Sequence, residues 1–183
     1  MKTKNNFSKD FYRYYGREYK IKDILKVVFN HELRFLYFFR NIKEVNNKFL
    51  KLFYKFLIRQ LRSKYGLEIS TEAQIGKGLY IGHPYNITIN PRAILGDNIN
   101  IHKGVTIGQE NRGGRKGVPN IGNNVWIGVN STIVGNIKIG NNVLIAPNSF
   151  VNIDIPNNSI VIGNPCKIIY KERAIEDYIN NKV

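Results

Sequence analysis

From residue 75 onward the aliphatic side chains recur every six positions. One register runs Ile75, Ile81, Ile87, Ala93, Ile99 and Val105, and a parallel one runs Ile89, Leu95, Ile101 and Ile107. The first resumes as Ile121, Ile127, Ile133, Ile139, Ile145 and Val151, so eleven of its twelve positions are Ile or Val and chance is a poor explanation. Glycine follows the aliphatic at Gly76, Gly82, Gly122, Gly128 and Gly140. A six-residue period fits neither a 3.6-residue helical turn nor the two-residue alternation of a flat strand. It fits a triangular coil of three short strands, each face sending one aliphatic inward and ending in a tight corner. Glycine and asparagine suit those corners because they tolerate positive φ. Stacked coils bury a continuous aliphatic column that no single coil could bury alone. The pattern predicts a parallel β-helix over 71–169, broken once. Val105 to Ile121 spans one hexad plus ten residues, which assigns a ten-residue inserted loop to 109–118. A tail at 170–183 is expected to be helical.

Before residue 71 the spacing is helical. Ser8 as cap and Gly16 as stop frame a short turn presenting Phe11, Tyr12 and Tyr15. Ile21, Leu25, Val28 and Phe29 fall on one face of a second helix, and Leu33, Leu36, Tyr37 and Arg40 continue the pattern after Asn30. From Lys48 to about Tyr65, Phe49, Leu52, Phe53, Phe56, Leu57 and Leu61 share one side. Lys51, Lys55, Arg59 and Arg62 lie on another, so this helix is amphipathic and basic.

Charge sharpens the division. Residues 1–70 hold 17 Lys and Arg against 6 Asp and Glu, and 16 of the 22 aromatics; residues 71–183 hold 11 against 7. The plain interpretation of 1–70 is a helical cap whose aromatics are core and whose charges are solvated. A sharper one is a surface, within 1–60, that meets anionic lipid headgroups or an acidic partner. Nucleic-acid binding has only charge in its favour, with no motif, and is not expected. A single cysteine, Cys166, excludes a disulfide framework and a cysteine-built zinc site, and three histidines leave nothing to spare for an all-histidine metal centre, so no metal is expected. The stretch from Met1 to Lys20 is charged throughout and does not read as a signal peptide, and Phe35 to Phe39 is too short to span a bilayer. A cytoplasmic protein is expected, with peripheral contact at the inner face of the membrane left open.

The stretches IGKGLYIGH (75–83), INPRAILGDN (89–98), IHKGVTIGQ (101–109), GVPNIGNNVWIG (117–128) and IVIGNPCKII (160–169) resemble the hexapeptide-repeat acyltransferases with a left-handed β-helix. The resemblance is strongest to the serine acetyltransferases and their relatives in polysaccharide gene clusters. It implies a mainly β fold with a small helical N-terminal segment, whose coils break the usual right-handed crossover rule. It also implies a homotrimer, acetyl-CoA held between neighbouring coils, and direct O-acetylation without a covalent enzyme intermediate.

Such a transfer needs a base for the hydroxyl proton, and histidine suits that near neutral pH. By the resemblance His83 stands at the catalytic position, and Glu68, fifteen residues earlier, at that of its carboxylate partner. Backbone near Gly108, Gly128 and Ala146 would line the pantetheine arm, with Lys167 near the nucleotide and loop cations Arg115 and Lys116 near phosphates or an anionic sugar. His102 reads as a surface residue of a coil, His31 as cap or packing, and Trp126 as packing. Two departures stand out. Serine acetyltransferases carry an aspartate just before the catalytic histidine, here Gly82, and an Arg-His pair at the end of the loop, here Gly117 and Val118. The acceptor expected from these departures is a sugar hydroxyl of a capsular or lipopolysaccharide polysaccharide or its precursor. The alternatives are serine O-acetylation for cysteine biosynthesis and an inactive β-helix scaffold.

Overall fold

A computed structural model describes residues 6–183. Helices α1 (Asn6–Tyr15), α2 (Ile24–Phe29), α3 (His31–Asn41) and α4 (Lys48–Tyr65) precede a triangular prism of five parallel coils. Its first face stacks β1 (Leu67–Ile69), β4 (Ile87–Ile89), β7 (Thr106–Gly108), β10 (Thr132–Val134) and β13 (Phe150–Val151). The second stacks β2 (Gln74–Ile75), β5 (Ile94–Leu95), β8 (Asn120–Ile121) and β11 (Lys138–Ile139). The third stacks β3 (Tyr80–Gly82), β6 (Asn100–His102), β9 (Val125–Ile127), β12 (Val143–Ile145) and β14 (Ser159–Ile162). A last strand, β15 (Lys167–Tyr170), returns antiparallel to β14. The predicted period is therefore a β-helix, and its inward aliphatics, Ile69, Ile89, Ile107, Ile133 and Val151 among them, are buried.

The edge between the second and third faces explains the repeated sequence Ile-Gly-Asn-Asn. Asn98, Asn124, Asn142 and Asn158 each turn the corner with φ of 55–56°. Their amides form a ladder in which Asn98 donates to Asn124 at 3.2 Å, and Asn124 to Asn142 and Asn142 to Asn158 at 3.1 Å. The preceding residues cap backbone in the coil before: the Asn123, Asn141 and Asn157 amide oxygens accept from the N–H groups of Asp97, Asn123 and Asn141 at 2.7–2.8 Å. Those side chains occupy the space a Cβ would need at Gly96, Gly122 and Gly140, which is why glycine precedes the pair. The fifth coil, with no coil above it, carries Pro156 there.

The register departs from the expected one in two places. Glu68 pairs with Thr88, twenty positions on, whereas Thr88 pairs with Thr106 after the regular eighteen. Two extra residues fall at the corner 83–86; Ile87 and Ile89, two apart on one strand, both point inward in neighbouring columns, and the two sequence registers are one repeat seen across this insertion. Thr106 pairs with Thr132, twenty-six positions on, so the loop inserts eight residues rather than ten. Val105 and Ile121 belong to different inward columns, which accounts for the excess.

Asn30 caps α3 and Asn47 caps α4, each accepting from a backbone N–H three residues on, and Gly66 (φ 64°) stops α4. Ser8 lies inside α1 and accepts from Tyr19 N instead of capping, while Gly16 (φ 65°) does end the helix. The cap is bolted to the first coil by charge. Asp10, fully buried, accepts from Arg40 Nε at 2.7 Å and from Leu79 N at 2.8 Å. Arg40 also donates to the carbonyls of Ile75 and Gly76, and Arg13 to those of Gly78 and Asn180.

Two helices do not bury the faces their spacing suggests. In α2 only Val27 is buried, while Leu25, Val28 and Phe29 are exposed, as is Ile21 just before it. In α4 the buried seam is Ile58, Leu61 and Tyr65, continued by the half-buried Tyr54 on Phe38; Phe49, Leu52, Phe53 and Phe56 face outward, on the opposite side of the helix. The tail is also different from expectation. Residues 171–183 form successive turns, broken by positive φ at Asp177 and Asn181, and strap the third face. Ile175 and Ile179 pack on Leu144, and the Asn98 amide holds Val183 through both its N–H and its C=O.

Candidate active site

His83 opens the inserted corner between the third and first faces. It is exposed, with φ 57°, in a β-helix whose other positive-φ non-glycine corners are all asparagine. Such a residue costs on the order of 1 kcal/mol of backbone strain, and strain of this kind concentrates at functional sites. Its own carbonyl accepts from Tyr85 N at 2.8 Å, which tightens the turn, while the imidazole has no hydrogen bond among the described residues. A histidine so placed can take a proton from an incoming group.

His102 is more than a surface residue. On β6 it pairs with Gly82 in the coil below, and its ring lies where a Cβ on Gly82 would be. The ring sits 4.8 Å from the Trp126 ring, centroid to centroid, and its buried Nε2 has no partner among the described residues. Burial first, and the nearby charge of His83 second, bring its pKa down to about 4. At neutral pH it is an uncharged wedge beside His83. The signal in the sequence was the pairing of Gly82 with a histidine twenty residues later, legible only once the insertion is known. His31 packs on Tyr65 with ring centroids 5.0 Å apart, and Trp126 packs between His102 and Tyr178.

Glu68 projects from β1 onto the first face, where it accepts from Thr88 Oγ1 at 3.4 Å; no hydrogen bond joins it to His83. It shares a cavity of about 400 Å³ with Arg62, Thr88 and Gly108. Gly108 and the loop belong to the edge between the first and second faces. The loop is a compact hairpin in which Glu110 and Gly117 exchange two backbone hydrogen bonds of 2.9 Å, with Arg115 and Lys116 exposed at its turn. Gly117 has φ 142°, and a Cβ there would come within 2.9 Å of Asn136 Cβ.

Gly128 and Ala146 lie instead on the His83 edge. A Cβ on Gly128 would come within 2.6 Å of Pro147 N, and the Ala146 carbonyl accepts from the Ser131 and Ser149 hydroxyls at 2.9 and 2.7 Å. Lys167 is exposed at the start of β15. Six residues of extended chain, roughly 15–20 Å, separate the two edges across the first face. One protomer therefore brings together His83 and His102, and Glu68 and Gly108, but does not join the Gly108 and loop residues to Gly128 and Ala146.

Fold and corner together define a hexapeptide-repeat β-helix, and comparison with known proteins agrees. A family model described as bacterial transferase hexapeptide (six repeats) matches residues 119–152. A serine acetyltransferase of Staphylococcus epidermidis is 42% identical over 107 residues, 58% of this chain and 50% of that protein. The solved structure of Neisseria gonorrhoeae serine acetyltransferase in complex with serine superposes with a TM-score of 0.72 at 30% identity, over 91% of this chain and 69% of that one. The Brucella abortus enzyme in complex with coenzyme A gives 0.74 at 26% identity, over 92% and 68%. The chain spans about half the length, or less, of the curated relatives it matches. It belongs to the left-handed β-helix acyltransferase family, in its serine acetyltransferase-like branch.

Proposed function

We propose that the chain is an acetyl-CoA-dependent O-acetyltransferase of the serine acetyltransferase type. Its likeness to serine acetyltransferases, including solved complexes with serine and with coenzyme A, carries the proposal. His83 accepts the acceptor's hydroxyl proton as the oxygen attacks the thioester carbonyl. The thiolate of coenzyme A leaves and takes that proton from the imidazolium, giving the acetyl ester and free thiol. Glu68, which bonds Thr88 and not His83 in the single protomer, is assigned as the carboxylate that would steady the imidazolium in the assembled site, and Gly108, Gly128, Ala146, Lys167, Arg115 and Lys116 as the lining of the cosubstrate. Because these residues occupy two separate edges, the complete site requires a second copy whose loop edge meets the His83 edge, as in a homotrimer.

A second acceptor, a saccharide hydroxyl, is favoured by one specific observation. The two glycines at positions where serine acetyltransferases carry charge are built into the backbone: Gly82 underlies the His102 ring, and Gly117 has a φ of 142°, which strains any residue with a side chain. An ammonium or carboxylate left there without a partner would cost several kcal/mol. Thiol release from acetyl-CoA, measured with L-serine beside a panel of sugars, separates the two. Turnover of L-serine at sub-millimolar concentration supports the first acceptor, and turnover of sugars alone supports the second. In either case His83→Ala is expected to lower turnover about a hundredfold or more with coenzyme A binding retained. Near-normal turnover by the folded variant would refute His83 as base.

A further inference from the structure

Both outward helix faces of the cap carry the same chemistry. On α4, Phe49 (86% exposed), Leu52, Phe53 and Phe56 form one contiguous apolar strip, opposite the seam that buries Ile58 and Tyr65. Along its flank run Lys48, Lys51, Lys55, Arg59 and Arg62, and the 18 residues of the helix contain no acid. Next to α2, Ile21 (81%) and, within it, Leu25 and Phe29 (78%) are exposed beside Lys22 and Lys26, and Asp23 between them is held by Arg17 at 2.6 Å. Both helices pack against α3, and α4 also contacts β1.

Monomeric proteins rarely leave so much contiguous apolar surface in water. We propose that the outward face of α4 is a peripheral docking surface for an anionic lipid bilayer, with its rings entering the headgroup boundary and the flanking cations meeting lipid phosphates. Charge selects this occupant. A second copy seated face to face on α4 would bring together two sets of Lys and Arg with no carboxylate on either helix, whereas an anionic bilayer supplies the counter-charge. The contact is peripheral, since among the described residues no helix is long and apolar enough to cross a membrane. Residues 1–5, part of the basic segment expected to make such contact, lie outside the described residues. The proposal is independent of which hydroxyl is acetylated.

The test is co-sedimentation of the full chain with vesicles of phosphatidylcholine alone and of phosphatidylcholine mixed with phosphatidylglycerol. Binding is expected only to the mixed vesicles, falling about tenfold or more between low salt and half-molar salt. Phe49→Ser with Phe53→Ser and Phe56→Ser should abolish it, and Lys51→Glu with Lys55→Glu should weaken it by a similar factor. Both variants should keep the parent's thermal melting and thiol-release activity, because none of these side chains is buried or at the site. Absence of binding to mixed vesicles at low salt, or equal binding to neutral ones, would overturn the proposal. So would variants that bind vesicles normally yet sediment as a smaller assembly than the parent, which would assign the strip to contacts between copies.

Discussion

The wedge of His102 over Gly82 makes the stability of the protein depend on pH in a window that can be worked out. In the unfolded chain the imidazole titrates near its ordinary value of 6.5; in the fold burial, reinforced by the charge of His83, brings it down to about 4. Between those values the unfolded state binds more protons than the folded one, so stability falls as pH drops. The contribution is fully present above 6.5 and fully lost below about 4. A shift of roughly 2.5 units corresponds to about 3 kcal/mol at most, and because the ring is only partly buried, solvent screening brings the expected figure to about 1–2 kcal/mol. Carboxylates titrate over part of the same range, so the quantity to follow is the difference between the parent and His102→Leu. Urea unfolding at a fixed protein concentration, from about pH 7.5 to about pH 4.5, measures it. The parent should lose about 1–2 kcal/mol relative to the variant over that interval. A difference that stays constant would show that the imidazole is not held neutral, and the account of the wedge would be wrong.

The same wedge predicts coupling: Gly82→Ala should destabilise by about 1–3 kcal/mol through overlap with the His102 ring, and His102→Ala should relieve most of that in a double-mutant cycle. Arg40→Met removes the counter-charge and the hydrogen bonds of the fully buried Asp10 carboxyl, and should cost about 3–5 kcal/mol in denaturant unfolding, with Asp10→Leu added to it restoring a large part. Asn124→Ala removes two rungs of the asparagine ladder and places a Cβ-bearing residue without a local hydrogen bond at φ 55°, for a loss of about 2–4 kcal/mol. Asn124→Gly, which relieves the backbone part, should lose about half as much by the same thermal or urea measurement.

The solenoid was legible because its physics is local and repeated. An inward aliphatic, a glycine made necessary by the side chain of the next coil, and an asparagine that turns with positive φ recur until no reading but a coil survives. Helix α4 was legible nearly to its ends from its spacing, Lys48 to about Tyr65. Which of its faces is buried was not, because both the Phe49 strip and the Ile58 seam satisfy a 3.6-residue spacing. Only the position of α3 and the first coil decides between them. His102 escaped for a related reason. Its neighbour Gly82 lies twenty residues away rather than eighteen, so a reader counting coils evenly places the histidine beside the wrong partner.

The insertions that shift the count coincide with the proposed site residues. The repeat is tolerant of aliphatic exchange and intolerant of extra residues, since each insertion must leave the hydrogen-bonded ladder at an edge. Only two insertions occur between Glu68 and Phe150: the two residues that lift His83 out of the asparagine pattern, and the eight that make the cationic hairpin at Arg115 and Lys116. They lie on different edges of the prism, so neither can complete the other within one copy. Under the proposed function one edge would supply the base and another the cationic loop, and the site would be complete when copies stand side by side, edge to edge. Disruption of the assembly should therefore abolish thiol release while leaving the coils of each protomer folded, and dilution monitored by sedimentation and activity together is the measurement on which that reasoning rests.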